Sequence, residues 1–401
     1  MTQRRSIRVL VVDDTIFYRK IVGDILTELP CVEVIGTAGN GKIALERSRT
    51  LKPDLITLDI EMPEMNGLQV LSRLQEDDLR PDVIMVSTLT REGADSTMKA
   101  MELGAFDFIA KPQSGSMEEN KEYLRKSLAP MISALRRRRE IQEILGGRSR
   151  TTPRPFPRKA AAAPRRKRHP EGAPYLGRSD IVAIGISTGG PKALAEVIPA
   201  LPKGIGVPVL VVQHMPPIFT RSLAESLDRK SALVVREAVD GDRLTPDTVF
   251  IAPGGRHMKI VQLADGATKV IRVTDGAPEN SCRPSADYLF RSVAEHFMGR
   301  ATGVIMTGMG ADGNRGLEQM KHAGAWIIAQ DEKTCVVYGM PKRPVETGIA
   351  DVVAPLNRIP DEILKTLKKS GSGPDLAGKQ PVPKVHDYGR PNRREGAQPL
   401  T

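Results

Sequence analysis

The sequence predicts an α/β protein with two doubly wound parallel sheets, and three observations support this prediction. The chain has 401 residues, which is enough for two or three domains. Two segments alternate short β-branched runs with helical patterns, as expected for parallel sheets that carry helices on both faces. A stretch rich in proline and arginine separates the two segments.

The strands are predicted from runs of β-branched and other apolar residues that stop at polar or turn-forming residues. The first segment has five such runs, at residues 8–14, 32–38, 54–60, 82–88 and 106–112. Its last helix carries the arginines of residues 136–139. The clearest strands of the second segment lie at residues 181–186, 207–214, 248–253, 302–307 and 326–330. Residues 258–273 predict a hairpin that turns at Asp265-Gly266.

The separating stretch contains most of the positive charge of the protein. Residues 146–178 hold ten Lys or Arg, one Glu and six prolines, and so account for nine of the eleven net positive charges. Such a segment buries too little apolar surface to fold, so we expect a flexible basic tether. Because the basic charge is confined to this stretch and does not form a face of a folded domain, we expect no specific nucleic-acid partner. The predicted organisation is residues 1–125, a helix end and tether at 126–179, a second domain at 180–368, and a disordered tail at 369–401.

Several protein classes are excluded by composition. No apolar run approaches the roughly 20 residues that span a bilayer, and the first residues lack the pattern of a secretory signal. The three cysteines, Cys31, Cys282 and Cys335, are an odd number without C-x-x-C spacing. We therefore expect reduced thiols in a cytosolic protein, and neither a disulfide framework nor a zinc site.

Polar side chains follow several predicted strands of the first segment. Asp13 and Asp14 end the first strand, Asp59 ends the third, and Ser87 and Lys111 end the fourth and fifth. Carboxyl ends of parallel strands meet at one edge of a sheet, where three carboxylates favour a hard cation such as Mg²⁺. A carboxylate placed beside this cation and an ammonium group can accept a phosphoryl group. The alternative is that these acids are helix caps and surface residues.

A G-x-S-x-G motif, Gly-Ile-Ser187-Thr-Gly189, follows the first strand of the second segment and precedes a helical pattern that starts near Pro191. A serine on such a sharp turn is exposed and can act as a nucleophile. A phosphate-binding glycine-rich loop and a simple tight turn remain alternatives.

A base and an acid follow at other strand ends. His214 ends the next strand, whereas His257 follows a glycine-rich turn and is the competing candidate base. Asp312 lies in a glycine-rich loop after a further strand and would orient the imidazole. It is also a candidate cap for a helix that begins near Asn314. The order Ser…His…Asp differs from the Ser…Asp…His order of α/β-hydrolases.

The first segment, to about residue 125, resembles the flavodoxin-like receiver domain of bacterial response regulators in Val-Val-Asp13-Asp14, Leu-Asp59-Ile-Glu-Met-Pro, Val-Ser87-Thr and Ala-Lys111-Pro. The resemblance implies that Asp59 accepts the phosphoryl group and that Ser87 and Lys111 belong to the switch.

The same resemblance implies a magnesium site. Asp14, Asp59 and the backbone carbonyl of Glu61 would bind Mg²⁺, and Asp13 would assist through water. Phe108 stands at the position of the family's switch aromatic residue.

Residues 180–368 resemble the catalytic domain of the chemotaxis protein-glutamate methylesterases, which is Rossmann-like. The matching blocks include Gly-Ile-Ser187-Thr-Gly-Gly, Gln-His214-Met-Pro-Pro, Ile-Ala-Pro-Gly-Gly-Arg-His257-Met, Arg283-Pro-Ser-Ala-Asp-Tyr and Met-Thr-Gly-Met-Gly-Ala-Asp312-Gly. The resemblance implies that Ser187 is the nucleophile, His214 the base and Asp312 its orienting acid. Thr188 and the backbone near Met309 would be oxyanion or support groups. Cys282 departs from the histidine expected before Arg283.

The resemblance also implies a function. Glutamate methyl esters of chemoreceptors would be hydrolysed and certain glutamines deamidated in the cytoplasm, without a cofactor for the ester reaction. A chemotaxis histidine kinase would phosphorylate the receiver, which covers the active site until then, and a glutamate methyltransferase would oppose the enzyme. The alternatives are a methylesterase of a non-flagellar pathway, a receiver with a DNA-binding output, and a scaffold without catalysis.

Overall fold

The computed structural model describes residues 6–77, 79–146 and 175–367. Most of the predicted tether and the whole predicted tail after residue 368 lie outside the described residues. None of the described helices is both long enough and apolar enough to cross a membrane.

The first sheet has five parallel strands in the order β2-β1-β3-β4-β5. Its strands are β1 (Ile7–Val12), β2 (Val32–Ala38), β3 (Leu55–Asp59), β4 (Asp82–Ser87) and β5 (Asp107–Ala110). The helices are α1 (Ile16–Glu28), α2 (Gly41–Leu51), α3 (Gly67–Glu76), α4 (Arg91–Glu102) and α5 (Met117–Gly146). The five predicted strands and the doubly wound fold are confirmed.

Local sequence explains where the helices of this sheet begin. The Asn40 side chain accepts a hydrogen bond from the Ile43 N–H at the start of α2. A reciprocal pair between Asn66 and Gln69 forms a capping box at the start of α3. Thr90 caps α4 in a similar way. These caps determine where the helices begin and hold the preceding loops at the carboxyl edge of the sheet.

The second sheet has seven parallel strands in the order β14-β13-β12-β6-β7-β9-β8. They are β6 (Ile181–Ile186), β7 (Val209–Gln213), β8 (Val234–Glu237), β9 (Thr248–Ile251), β12 (Ala301–Ile305), β13 (Trp326–Gln330) and β14 (Val352–Ala354). The predicted hairpin is present as antiparallel β10 (His257–Gln262) and β11 (Lys269–Thr274). The edge strands β8 and β14 were not predicted, because they are short and only partly buried.

The second domain has six helices among the described residues. They are α6 (Gly190–Val197), α7 (Phe219–Asp228), α8 (Ala286–Phe297), α9 (Asn314–His322), α10 (Lys342–Glu346) and α11 (Ile359–Leu367). A 3₁₀ turn, Leu356–Arg358, precedes α11. The central strands β6 and β7 are completely buried, which explains their continuous apolar sequences.

The two domains pack together through α4 and β5 of the first and α6 and α7 of the second. The rings of Phe108 and Phe219 stack with their centroids 4.7 Å apart, and Phe219 is completely buried. Glu102 accepts a hydrogen bond from the Ser226 hydroxyl at 2.6 Å and pairs with Lys230 at the same distance. This packing places the carboxyl edge of the seven-stranded sheet against the first domain.

Candidate active site

Ser187 lies on a tight turn between β6 and α6. Its N–H donates to the Thr307 carbonyl at 2.9 Å, and its own carbonyl accepts from the Gly190 N–H at 2.7 Å. The Gln213 amide also donates to the Ser187 carbonyl at 3.0 Å. Gly189 has φ of +75°, where a side chain would also overlap Val336. Hydrogen bonds with Thr307, Gly190 and Gln213 therefore hold the backbone of Ser187 in place.

His214 reaches the same edge because β6 and β7 are neighbours in the sheet. Ile186 pairs in register with Gln213, so Ser187 and His214 are the next residues on adjacent strands. His214 Nε2 lies 2.7 Å from Asp312 Oδ2. A carboxylate there accepts a hydrogen bond from the Nε2–H, which leaves the lone pair of the neutral imidazole on Nδ1.

Asp312 is held by a set of hydrogen-bond donors. Oδ1 accepts from Ser285 Oγ at 2.7 Å and from Asn280 Nδ2 at 2.8 Å, and Oδ2 accepts from the Ala286 N–H at 2.6 Å. Burial alone would raise the pKa of Asp312, but His214 and these donors hold it well below its usual range.

The interpretation of Asp312 as a cap for the helix near Asn314 is wrong. Helix α9 begins after Gly313, and no side chain caps it. The Asp312 carboxylate instead accepts the N–H groups of Ala286 and Asp287 at the start of α8. The loop folds back toward α8, so the Asp312 carboxylate accepts hydrogen bonds at the start of α8, an earlier helix of the chain, and not at the start of α9.

Both imidazole nitrogens of His214 have neighbours. Cys282 Sγ lies 3.6 Å from Nδ1, opposite the Asp312 side of the ring. Burial lowers the pKa of His214, but the hydrogen bonds with Asp312 and Cys282 outweigh this and raise the pKa to about 9. Within the described residues, Ser187 Oγ forms no hydrogen bond with the imidazole.

A cavity between the two domains exposes Ser187. Its second-domain lining includes Ser187, Thr188, Gln213, His214, Pro216 and Met309, and its first-domain lining includes Asp107, Phe108, Tyr123 and Lys126. Among the described residues, the backbone N–H groups of Thr188 and Met309 have no hydrogen-bond acceptor. Two residues with free backbone N–H donors therefore line the same cavity as Ser187.

One contact crosses this cavity. Asp107 Oδ2 accepts a hydrogen bond from the Gly189 N–H at 3.0 Å. Burial raises the pKa of Asp107 to about 6, although this hydrogen bond and one from the Phe108 N–H lower it.

His257, the competing candidate base, has a different environment. It is completely buried at the start of the hairpin, and its ring stacks on Tyr288 with 4.5 Å between centroids. Its Nε2 lies 3.0 Å from the Ala277 carbonyl. His257 is therefore a structural residue of the core, and His214 is the histidine that pairs with Asp312.

The predicted acidic cluster forms at the carboxyl edge of the first sheet. Lys111 Nζ lies 2.9 Å from Asp13 Oδ2 and 2.7 Å from Asp59 Oδ2, and all three residues are buried. Asp14 is exposed, and carboxylate oxygens of Asp13, Asp14 and Asp59 lie within 4.8 Å of one another. Burial raises the pKa of Asp59 to about 6 although Lys111 lowers it. This all-oxygen donor set fits Mg²⁺.

The other residues predicted at this edge lie around the cluster. Ser87 is buried, and its hydroxyl donates to the Gly93 carbonyl at 3.1 Å. Glu61 donates its N–H to Asp59 at 3.4 Å and accepts a hydrogen bond from the Thr88 hydroxyl. In this arrangement the Ser87 hydroxyl is directed toward the start of α4.

Comparison with known proteins follows the same division of the chain. Residues 9–120 match the family model described as response regulator receiver domain, and residues 182–363 match CheB methylesterase. A protein-glutamate methylesterase/protein-glutamine glutaminase of Desulfotalea psychrophila is 53% identical over 365 residues, which cover 91% of this chain and 99% of the relative. The enzyme of the same name from Geobacillus kaustophilus is 44% identical and covers 90% and 99%.

This chain belongs to the protein-glutamate methylesterase/protein-glutamine glutaminase family. Solved structures with similarity include the Thermotoga maritima CheB methylesterase catalytic domain, at 43% identity and a TM-score of 0.46 over 47% of this chain and 99% of that one. The response regulator domain of Thermotoga maritima CheB is 42% identical, with a TM-score of 0.30 over 33% and 98%. The family models and the relatives of the same name show that the chain is a hydrolase with a receiver domain and a methylesterase domain.

Four residues of the methylesterase site and its contact with the receiver were missed by sequence reasoning. Gln213 precedes His214 directly, and this position at the end of a buried strand was a usable signal. Asp107, Asn280 and Ser285 gave no local signal, because their partners are 82, 32 and 27 residues away in the chain.

Proposed function

We propose that this enzyme hydrolyses γ-glutamyl methyl esters of chemoreceptors with Ser187 as nucleophile, His214 as base and Asp312 as the orienting acid. The observation that supports this most strongly is the 2.7 Å contact between His214 Nε2 and Asp312 Oδ2 at the strand end next to Ser187. In this proposal residues 1–125 form the receiver, 126–179 the helix end and tether, 180–368 the catalytic domain and 369–401 the tail.

In the first half of the reaction, Ser187 Oγ attacks the ester carbonyl carbon and the neutral form of His214 accepts the serine proton at Nδ1. The Asp312 carboxylate stabilises the resulting imidazolium through Nε2. The carbon–oxygen bond to the methoxy group then breaks, and His214 returns the proton to the leaving oxygen. Methanol and a glutamyl ester of Ser187 are the products.

In the second half, water attacks the acyl group while His214 Nδ1 accepts one of its protons. The bond to Ser187 Oγ breaks, the serine regains a proton from His214, and a glutamate side chain is released. A receptor glutamine would react through the same acyl-enzyme, with ammonia in place of methanol.

The developing oxyanion needs donors that are already in place before the reaction. The N–H groups of Thr188 and Met309 are suited to this role, because both residues line the Ser187 cavity and neither N–H has an acceptor among the described residues. No cofactor is required for the ester reaction.

Regulation would begin at Asp59, which accepts a phosphoryl group from a chemotaxis histidine kinase. Mg²⁺ held by Asp14, Asp59 and the Glu61 carbonyl, with Asp13 assisting through water, would neutralise charge on the phosphoryl oxygens. The Lys111 ammonium, already paired with Asp59 at 2.7 Å, would remain beside the added negative charge. The Ser87 hydroxyl would turn from Gly93 toward the phosphoryl group.

The receiver would restrain the esterase until it is phosphorylated. Asp107 and Phe108 support this role, because both line the Ser187 cavity and both contact the methylesterase domain. Phosphorylation would shift the equilibrium between this closed arrangement and an open one. The enzyme would act in the cytoplasm and oppose a glutamate methyltransferase. The alternative is a receptor pathway other than flagellar chemotaxis, in which the same residues would act.

The test is methanol release from methyl-labelled chemoreceptor membranes, with and without a small-molecule phosphodonor and Mg²⁺. We expect release that increases with phosphodonor and disappears in Ser187→Ala. Equal release with and without phosphodonor would retain the esterase and exclude receiver control. Undiminished release by the folded Ser187→Ala variant would exclude Ser187 as the nucleophile.

A further inference from the structure

We propose that Cys282 and His214 form a binding site for Zn²⁺ that inhibits the esterase. The sequence predicted no zinc site, because its three cysteines lack ligand spacing. The fold brings Cys282 Sγ to 3.6 Å from His214 Nδ1, across 68 residues of chain. A thiolate and a neutral imidazole are the two ligands that zinc binds most often in proteins.

The separation of the two atoms matches one edge of a zinc tetrahedron. Bonds of about 2.3 Å to sulfur and about 2.0–2.1 Å to nitrogen, at a tetrahedral angle, place the two ligand atoms about 3.6 Å apart. The observed distance is 3.6 Å, so the cation would fit without moving either side chain far. The remaining positions of the tetrahedron are left for water on the cavity side.

The orientation of the imidazole also suits a metal. Zinc-binding histidines commonly donate their second ring N–H to a carboxylate, which fixes the tautomer and strengthens the ligand. Asp312 has this relation to His214, with 2.7 Å between Oδ2 and Nε2. Asp312 is itself held by Ser285, Asn280 and the Ala286 N–H, so it would orient the ligand without binding the metal.

The other two cysteines provide contrasts. Burial raises the pKa of the Cys335 thiol, which keeps it protonated and unsuited to zinc. Cys31 lies in the receiver, immediately before β2, and forms no metal cluster with the His, Cys, Asp or Glu residues that the structure describes. Among the described residues, only two groups of three or more His, Cys, Asp or Glu place their ligand atoms within 4.8 Å of one another, and the group with Cys282 is the only one with a sulfur atom.

Inhibition follows from the atom that the metal would occupy. On binding, the Cys282 thiol and the His214 imidazolium, which carries its second proton on Nδ1, each release a proton to solvent. The freed Nδ1 lone pair and the thiolate then bind Zn²⁺, and no electron transfer is involved. His214 could then no longer accept the Ser187 proton. The metal-binding proposal itself depends only on Cys282 and His214, whereas the inhibition depends on the proposed role of His214.

Cobalt binding tests the site independently of catalysis. We expect Co²⁺ added to the reduced full-length protein to produce a thiolate-to-cobalt charge-transfer absorption that stoichiometric Zn²⁺ abolishes. The absorption should be absent in Cys282→Ser and Cys282→Ala and retained in Cys31→Ser and Ser187→Ala. Circular dichroism would establish that each variant is folded. The same absorption in a folded Cys282 variant, or none in the unmodified protein, would overturn the proposal.

Inhibition is measured by methanol release without phosphodonor or Mg²⁺, with each protein compared with its own metal-free rate. We expect a chelator to restore activity, and Cys282→Ser to raise the Zn²⁺ concentration for half-inhibition about tenfold or more. Cys31→Ser should behave like the unmodified protein. An unchanged inhibition curve in Cys282→Ser would overturn the inhibitory role. If esterase activity is absent but the cobalt absorption is present, the proposed function fails and the metal site stands.

Discussion

Asp107 Oδ2 accepts a hydrogen bond from the Gly189 N–H at 3.0 Å, which ties the receiver to the loop that carries Ser187. Gly189 directly precedes α6, so a receiver carboxylate occupies one of the free donors at the start of a catalytic-domain helix. The stacked rings of Phe108 and Phe219 lie beside this contact. This buried polar contact and the apolar one beside it hold the closed arrangement together with the contacts of Glu102 to Ser226 and Lys230.

Replacing Asp107 by alanine should release the receiver. Hydrogen bonds that involve a charged group contribute about 1.5–3 kcal/mol, so the closed arrangement should lose on the order of tenfold or more in population. We expect Asp107→Ala to raise methanol release several-fold in the absence of phosphodonor. Asp24→Ala, an exposed change on α1, is the matched control. A basal rate equal to that of the control would exclude the contact as a restraint.

Acid should favour the closed arrangement. Burial raises the pKa of Asp107 to about 6, and exposure on opening would return it to an ordinary value of about 4. The closed form then binds the proton more tightly, so closure strengthens as the pH falls from about 6 to about 4 and weakens as it rises. Small-angle scattering should give a smaller radius of gyration at about pH 5 than at about pH 7.5. Asp107→Asn, which cannot titrate, should reduce this difference; an equal difference in both proteins contradicts the assignment.

Asp59→Asn should separate catalysis from control. The change removes the phosphoryl acceptor while leaving the Ser187, His214 and Asp312 side chains untouched. We expect the basal rate of methanol release to persist and its increase with phosphodonor and Mg²⁺ to disappear. Because Asp59 lies against Lys111, thermal unfolding should be compared with the unmodified protein to establish that the receiver is folded. Stimulation that survives in this variant would rule out Asp59 as the switch.

Gly308→Ala should damage the nucleophile turn without removing any functional group. A Cβ at this position would overlap Met340 Sδ and lie 2.7 Å from Ser187 Cβ. Overpacking of this kind costs about 1–3 kcal/mol of unfolding free energy, and displacement of a nucleophile by about 1 Å lowers rates on the order of 100-fold. Thermal unfolding and methanol release measure the two effects. Gly23→Ala adds a methyl group that meets open space inside α1, so it should leave methanol release unchanged and should not lower the thermal stability. Full activity in Gly308→Ala would show that the turn tolerates the methyl group.

Sequence patterns were informative wherever the signal was local. The ten clearest strands, the hairpin and the strand-end positions of Ser187, His214, Asp59 and Lys111 were predicted from runs of neighbouring residues. The edge strands β8 and β14 were not predicted. They have only four and three residues and are partly buried, so their sequences show no clear alternation of apolar and polar residues. The helix near Asn314 was predicted, but the alternative that Asp312 caps it is wrong, because the Asp312 side chain accepts the Ala286 N–H instead.

By itself, the sequence determined two parallel sheets and the chemistry at their carboxyl edges, because hydrophobic period and motif spacing act over a few residues. Tertiary structure alone decided how those groups face one another. Asp312 lies beside Nε2 of His214, and Cys282 lies beside Nδ1. Asp107 accepts a hydrogen bond from the Gly189 N–H across the domain boundary. Each of these contacts joins residues at least 68 positions apart, so packing, and no local pattern, sets which atoms meet.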